Sequence, residues 1–269
     1  MNELNGIITQ IIQVSPTMKV FRIAPDGWDL PDFKAGQFCA LYLPGGTTRC
    51  EEATAEFEEV ADDKMIRKAY SIASSSRTKE FLEFYITLVH SGALTPRLFD
   101  RKIGDRIGVG TKFVGMFTID QIPEERNIIL VATGTGVAPY MSMLRSDALK
   151  RKGKIAVIHG AANSWDLGYS SELDLLQSIN PDFKYIPTIT NPEGEMTKWN
   201  GHVDFIQDMW NNGIMEKTWG FRPMPENTDI FLCGNPRMIS DMEEAMAVDG
   251  FSEWHKKKNP EGQIHAEKF

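Results

Sequence analysis

Cysteine is scarce: Cys39, Cys50 and Cys233 are the whole supply in 269 residues. The number is odd and no Cys-x-x-Cys pair occurs, so neither a disulfide framework, a zinc site nor a self-contained iron–sulfur cluster is expected. No apolar run reaches the roughly 18 residues that a membrane-spanning helix needs. The start, Met1-Asn2-Glu3-Leu4-Asn5, lacks the cationic-then-apolar order of a secretion signal. A cytoplasmic protein with no membrane contact is the expectation. Positive charge is also short: 29 Lys and Arg against 37 Asp and Glu leave a net charge of −8, which speaks against general nucleic-acid binding. Missing too is the dinucleotide fingerprint Gly-x-Gly-x-x-Gly.

What is present centres on Ile128-Ile129-Leu130-Val131-Ala132-Thr133-Gly134-Thr135-Gly136-Val137-Ala138-Pro139. The apolar run reads as a strand buried on both faces, as in the middle of a parallel sheet. Two glycines then permit a tight turn and close approach of a ligand. Pro139, with its preset φ, opens a helix running to about Lys150. A strand, a glycine turn and a helix N-terminus present N–H groups to an anion. Spacing alone leaves open a pyrophosphate site or a turn without a ligand.

The length favours two domains over one, and 42% hydrophobic with 25% charged residues fits a globular chain with a real core. Before residue 122 the pattern is of short β-rich stretches: 7–14, 20–23, 37–43, 67–74, 81–89, 106–109 and 116–119. One short helix, Thr95 to Arg101, interrupts them, and a polar, acidic excursion fills 46–66. Six or seven strands predict a small antiparallel β-barrel. From Pro123 strands at 128–133, 154–160, 184–190 and 229–233 alternate with helices near 139–150, 171–179, 203–211 and 236–247. That alternation predicts a parallel α/β sheet. The expected division is 1–122, a barrel domain, and 123–269, an α/β domain.

Four motifs stand in order: Lys68-Ala69-Tyr70-Ser71, Gly92-Ala93-Leu94-Thr95, Gly134 to Pro139, and Cys233-Gly234-Asn235-Pro236. In that arrangement the chain resembles the bacterial ferredoxin/flavodoxin–NADP reductases, of the plant-type ferredoxin–NADP reductase superfamily, over about Leu4 to Phe269. The resemblance implies an FAD-binding barrel followed by a domain that binds NADH or NADPH. It further implies a hydride exchanged with flavin N5 and electrons passed to or from an acidic ferredoxin or flavodoxin.

Residue by residue, the resemblance implies the following. Lys68, where the family has Arg, meets the FAD pyrophosphate, with Arg67 beside it; a lysine is a point charge and not a bidentate fork. Tyr70 stacks on the flavin ring, and the Ser71 hydroxyl aims at N5. Tyr85, Ile86, Thr87 and Leu88 line the ring system, and Gly92, Ala93, Leu94 and Thr95 meet the pyrophosphate. Gly134, Thr135, Gly136, Val137, Ala138 and Pro139 bind the nicotinamide nucleotide, Thr135 also touching FAD. Cys233 lies beside the nicotinamide, with Gly234, Asn235 and Pro236 next to it. Glu267 reaches the reacting atoms, and the terminal Phe269 covers the flavin. Ser71, Cys233 and Glu267 are the implied catalytic residues.

The family's arginines around a 2′-phosphate are replaced here by Ala162, Asn191 (after Thr190) and His202 (after Gly201). A 2′-phosphate is close to doubly charged near neutral pH, so NADH is expected to be favoured. Lys198 and Thr190 could rebuild part of a phosphate pocket, and Glu193 is a candidate partner for a ribose hydroxyl. The basic run Lys256-Lys257-Lys258, after His255, reads either as solvated surface or as a docking patch for an acidic carrier. A monomer is expected. Two rivals stay open: a reductase component for an oxygenase or for free flavin, and a non-catalytic flavin- and nucleotide-holding electron-transfer subunit.

Overall fold

Alternation and β-branched residues in the first part of the chain produce β1 (Gly6–Ser15), β2 (Met18–Pro25), β3 (Phe38–Pro44), β4 (Met65–Ser71) and β5 (Leu82–Thr87). A single short helix, α1 (Thr95–Phe99), precedes β6 (Arg106–Val109). These are taken from a computed structural model, which describes residues 4–268. The strands pair antiparallel in the order β4-β3-β6-β1-β2-β5. Two register shifts in β1 give the sheet its curvature. The Ala73 N–H donates to the Glu83 carbonyl at 2.8 Å, tying the ends of the two edge strands together. Ile8, Phe21, Leu41, Leu43, Phe84 and Leu98 fill the barrel-like interior.

The expected seventh strand, Met116–Ile119, does not form. Gly115 takes a positive φ of 122°, and the Thr118 N–H turns back to the Met116 carbonyl at 2.9 Å. A short β-rich stretch broken by such a turn adds no strand to the ladder. The acidic excursion is irregular, as expected, but it is anchored. Gly45 and Gly46 donate to the Lys64 and Asp62 carbonyls at 2.8 and 3.0 Å, and Glu56 turns inward onto Arg97.

The second part builds β7 (Asn127–Thr133), a 3-10 turn at Gly134–Val137, α2 (Ala138–Ser146), β8 (Ile155–Ala161), α3 (Ser170–Ile179) and β9 (Phe183–Ile189). Then follow β10 (His202–Val203), α4 (Ile206–Asn211), α5 (Ile214–Trp219), β11 (Thr228–Gly234), α6 (Pro236–Val248) and β12 (Ile264–Lys268). Sequence periodicity missed β10, α5 and β12, which are short or lie at the sheet edges. The strands are all parallel, in the order β10-β9-β8-β7-β11-β12. Ile128 to Ala132 and Ile230 to Cys233 are buried on both faces, as central parallel strands require.

The chain divides into Met1–Thr118 with Ala138–Ser146, and Ile119–Val137 with Asp147–Phe269. Helix α2 therefore groups with the first unit although it follows the glycine turn of the second. Its Arg145 explains this, donating to the Ala73 carbonyl at 3.0 Å and to Glu83 at 2.6 Å. Among the described residues no helix is long and apolar enough to cross a membrane.

Candidate functional site

Strand order in the second unit runs outward from β7 through β8 and β9 on one side and through β11 on the other. The reversal point between β7 and β11 is where open parallel sheets leave a crevice at their carboxyl ends. Both expected nucleotide motifs end there. Gly134 has a φ of 53° and opens the 3-10 turn. Gly136 packs so tightly that a Cβ would lie 2.2 Å from the Cys233 carbonyl oxygen. Across the reversal point Gly234 has a φ of 129°, and a Cβ there would lie 2.4 Å from Thr133 Oγ1. That hydroxyl accepts the Asn235 N–H at 2.8 Å, joining the two strand ends. Asn235 then caps α6 by accepting the Arg237 N–H at 2.8 Å, with Pro236 as the first helical residue.

Sequence reasoning passed over the group that fixes the first glycine. His159 on β8 is fully buried, and its Nε2 lies 3.0 Å from the Gly134 carbonyl oxygen. A carbonyl only accepts, so Nε2 carries the proton and Nδ1 is left to accept from the Tyr185 hydroxyl at 3.5 Å. Burial pulls the imidazole pKa down from 6.5 to about 4, partly countered by the bond to Gly134. His159 is neutral in the fold. A histidine facing a glycine turn from the neighbouring strand was the available signal, since Ala132 and His159 are register partners.

Cys233 and Glu267, two of the three implied catalytic residues, come together as register partners on β11 and β12. Cys233 is fully buried, and burial first, then the Glu267 charge, pushes its thiol well above the ordinary range. A neutral thiol is a small, polarisable contact surface and no nucleophile. Phe269 lies outside the described residues.

On the second and third strands the expected nucleotide residues interlock. The Thr190 N–H donates to the Ala161 carbonyl at 3.1 Å, and the Asn191 N–H to the Ala162 carbonyl at 2.9 Å. Asn163 Nδ2 donates to the Asn191 carbonyl at 3.1 Å and to Glu195 Oε1 at 3.2 Å. Ser164 gives Glu195 two more bonds, N–H to Oε1 at 2.7 Å and hydroxyl to Oε2 at 2.6 Å. Despite partial burial, these donors hold the Glu195 carboxyl below its usual range. Glu193, the candidate carboxylate from sequence, is exposed on a 3-10 turn (Pro192–Gly194). Lys198 is exposed, and His202 opens β10 opposite Thr188.

In the first unit, Lys68 on β4 is exposed and pairs with no carboxylate among the described residues, whereas Arg67 lies over the Tyr42 ring at 4.2 Å. Ala69 is exposed on the same strand, Tyr70 is half-buried with its phenol pushed up by desolvation, and Ser71 is buried. Tyr85, Ile86 and Leu88 are core residues, Tyr85 giving its hydroxyl to Met18 Sδ at 3.0 Å, and Thr87 is half-buried. In the Gly92–Thr95 turn the Thr95 hydroxyl accepts the Val89 N–H at 2.9 Å and donates to the Val89 carbonyl at 3.2 Å. Two unexpected ion clusters brace these parts. Arg97 donates to the Gly45 carbonyl at 2.6 and 2.9 Å and to the Ala93 carbonyl at 2.6 Å. Buried Glu83 accepts from Arg22 at 2.7 Å and from Arg145 at 2.6 Å. Lys256, Lys257 and Lys258 are exposed on a turn whose N–H groups at 257 and 258 reach His255 Nδ1.

The architecture is thus a barrel-like antiparallel unit and a parallel α/β unit whose strand order reverses beside a tightly packed glycine turn. The sequence signature of the oxidoreductase NAD-binding domain matches residues 130–244. A flavodoxin/ferredoxin–NADP reductase of Buchnera aphidicola is 32% identical over 215 residues, covering 79% of each chain. That of Escherichia coli is 30% identical, covering 78% of this chain and 77% of its own. The fold is that of a ferredoxin–NADP+ reductase from Neisseria gonorrhoeae, solved with FAD and NADP bound: TM-score 0.81, 23% identity, 98% of this chain and 97% of that one. The chain belongs to the flavodoxin/ferredoxin–NADP reductase family.

Proposed function

We propose that this protein is an FAD enzyme that exchanges a hydride with a nicotinamide nucleotide and passes electrons singly to or from ferredoxin or flavodoxin. The observation that carries the reading is the β7–β11 reversal point. A glycine turn without room for a Cβ faces a buried, uncharged Cys233 paired in register with Glu267. FAD, when bound, couples two-electron hydride chemistry to one-electron transfer.

The side chains fit such a group. Lys68, a cation with no carboxylate partner among the described residues, supplies charge for a pyrophosphate. Tyr70 supplies a flat ring and Ser71 a hydroxyl, with the backbone of Gly92 to Thr95 as further donors. Gly134 to Pro139 would hold the nicotinamide nucleotide. Cys233 would set the stacking distance of the nicotinamide without bonding to it, and Glu267 would orient its carboxamide. The domains by function are 1–122 for flavin and 123–269 for the nucleotide. The exposed Lys256 to Lys258 offer charge complementary to an acidic carrier. A cytoplasmic location agrees with three free cysteines, and the reading takes the protein as a monomer.

The test is anaerobic. The purified protein should be yellow, release FAD on denaturation, and bleach with NADH or NADPH. Cys233→Ala should slow bleaching while leaving FAD content unchanged. Extracted FMN, or no bleaching by either nucleotide, would overturn the reading.

A further inference from the structure

The loops after β8 and β9 hold three acidic residues, Asp166, Glu193 and Glu195, and Glu195 joins one loop to the other. Residues 161–166 and 189–195 contain no Lys, Arg or His. Glu195, on the loop after the third strand, is drawn across to the loop after the second by the N–H and hydroxyl of Ser164 at 2.7 and 2.6 Å. Asn163, itself buried, adds a third bond at 3.2 Å and also grips the Asn191 carbonyl. The carboxylate is thereby delivered to the carboxyl end of the second parallel strand. In dinucleotide-binding sheets that edge faces the adenosine ribose, where a carboxylate accepts from a 2′-hydroxyl and a cation accommodates a 2′-phosphate.

Resting on the function proposed above, we infer that Glu195 makes this protein NADH-selective. Its Oε2 accepts only the Ser164 hydroxyl among the described residues and retains capacity for a ribose 2′-hydroxyl donor. A 2′-phosphate would bring close to two negative charges against a carboxylate that three hydrogen bonds keep ionised and in place. Moving away would break both bonds from Ser164 and one of the bonds from Asn163. The selection therefore acts by repulsion of the phosphorylated nucleotide as much as by attraction of the other. The carboxylate comes from a loop more than 30 residues after β8 begins (Glu195 against Ile155), so scanning the loop after β8 does not find it.

Two measurements on the holoenzyme test this. Calorimetry compares ADP-ribose with 2′-phospho-ADP-ribose, and anaerobic flavin reduction compares NADH with NADPH. The expected parent binds the unphosphorylated ligand at least about tenfold more tightly and has the same preference in kcat/KM. Glu195→Gln keeps an oxygen for the Ser164 N–H and should narrow both ratios about tenfold, mainly by improving the 2′-phosphate ligands. Glu195→Lys should reverse the preference, with thermal unfolding confirming that both variants fold. A parent that prefers the 2′-phosphate ligand, or ratios unmoved in both variants, overturns the inference. Binding of neither ligand together with no bleaching would remove the nucleotide site itself and the proposed function with it. Bleaching by NADPH alone would remove only the role of Glu195.

Discussion

Two glycine turns that open helices in this chain, those before α1 and α2, solve the same problem in opposite ways. At Gly92–Thr95 the turn is closed chiefly by its own neighbours: Thr95 clasps both the N–H and the carbonyl of Val89, and Gly92 donates back to Val89 at 2.8 Å. A long 3.4 Å bond from Arg49 to the Gly92 carbonyl comes from farther away. At Gly134–Val137 the turn is closed from outside its own stretch of chain. Cys233 presses on Gly136, and His159 holds the Gly134 carbonyl from the next strand. A locally closed turn tolerates change within its own loop. A turn closed by distant strands fails when either distant strand is altered, which suits a site that must be rigid before its ligand arrives.

The sharpest way to break the comparison is to add one methyl group to each. Gly136→Ala puts a Cβ 2.2 Å from backbone oxygen that cannot move without displacing β11. It should cost at least ~3 kcal/mol or prevent folding. Gly92→Ala meets the Val89 oxygen at 3.0 Å and Thr95 Oγ1 at 3.2 Å, and the short loop can give. There ~1 kcal/mol is expected, read as a shift in the denaturation midpoint. Equal losses would erase the distinction.

The next effect belongs to His159 and has a sign fixed by its pKa. The unfolded imidazole takes up a proton below about 6.5, whereas the folded one resists until about 4. The unfolded state therefore binds more protons in that window. Stability contributed by the neutral ring is present above pH 6.5 and is lost as the pH falls toward 4, amounting to ~3 kcal/mol across the window. His159→Leu should lower stability at pH 7 by ~2 kcal/mol, since the Gly134 carbonyl loses its donor. It should also flatten this part of the acid limb. A limb of unchanged steepness would assign the acid loss to other groups.

The smallest expected change is Thr95→Val. It removes the clasp on Val89 and should cost ~1 kcal/mol, with weaker FAD retention and unchanged nucleotide binding. Weakened nucleotide binding instead would mean that the two turns are not independent.

Periodicity made the central strands legible because their surroundings are uniform. Ile128 to Ala132 is apolar on both faces, and no half-exposed pattern competes with that reading. It failed at Met116–Ile119, a short β-rich stretch entered through the positive φ of Gly115. It also passed over β12, whose Ile264 to Lys268 carries His265, Glu267 and Lys268 and becomes a strand because β11 lies open beside it. In the site, Cys233 and the glycine turns were marked by their own residue types. His159, Glu83, Arg97 and Glu195 were not, because an ionisable residue in a sequence is silent about whether a partner will enclose it.

The sequence by itself determined the two architectures, the nucleotide turn and the charge balance, since each follows from short-range pattern and composition. Tertiary structure alone decided which polar groups are buried, neutral or pinned. It paired Cys233 with Glu267, placed Glu83 between Arg22 and Arg145, and carried Glu195 to the end of β8. The reason is physical: the protonation and orientation of an ionisable side chain depend on desolvation and on donors within a few ångströms. Those donors come from parts of the chain that only folding brings together.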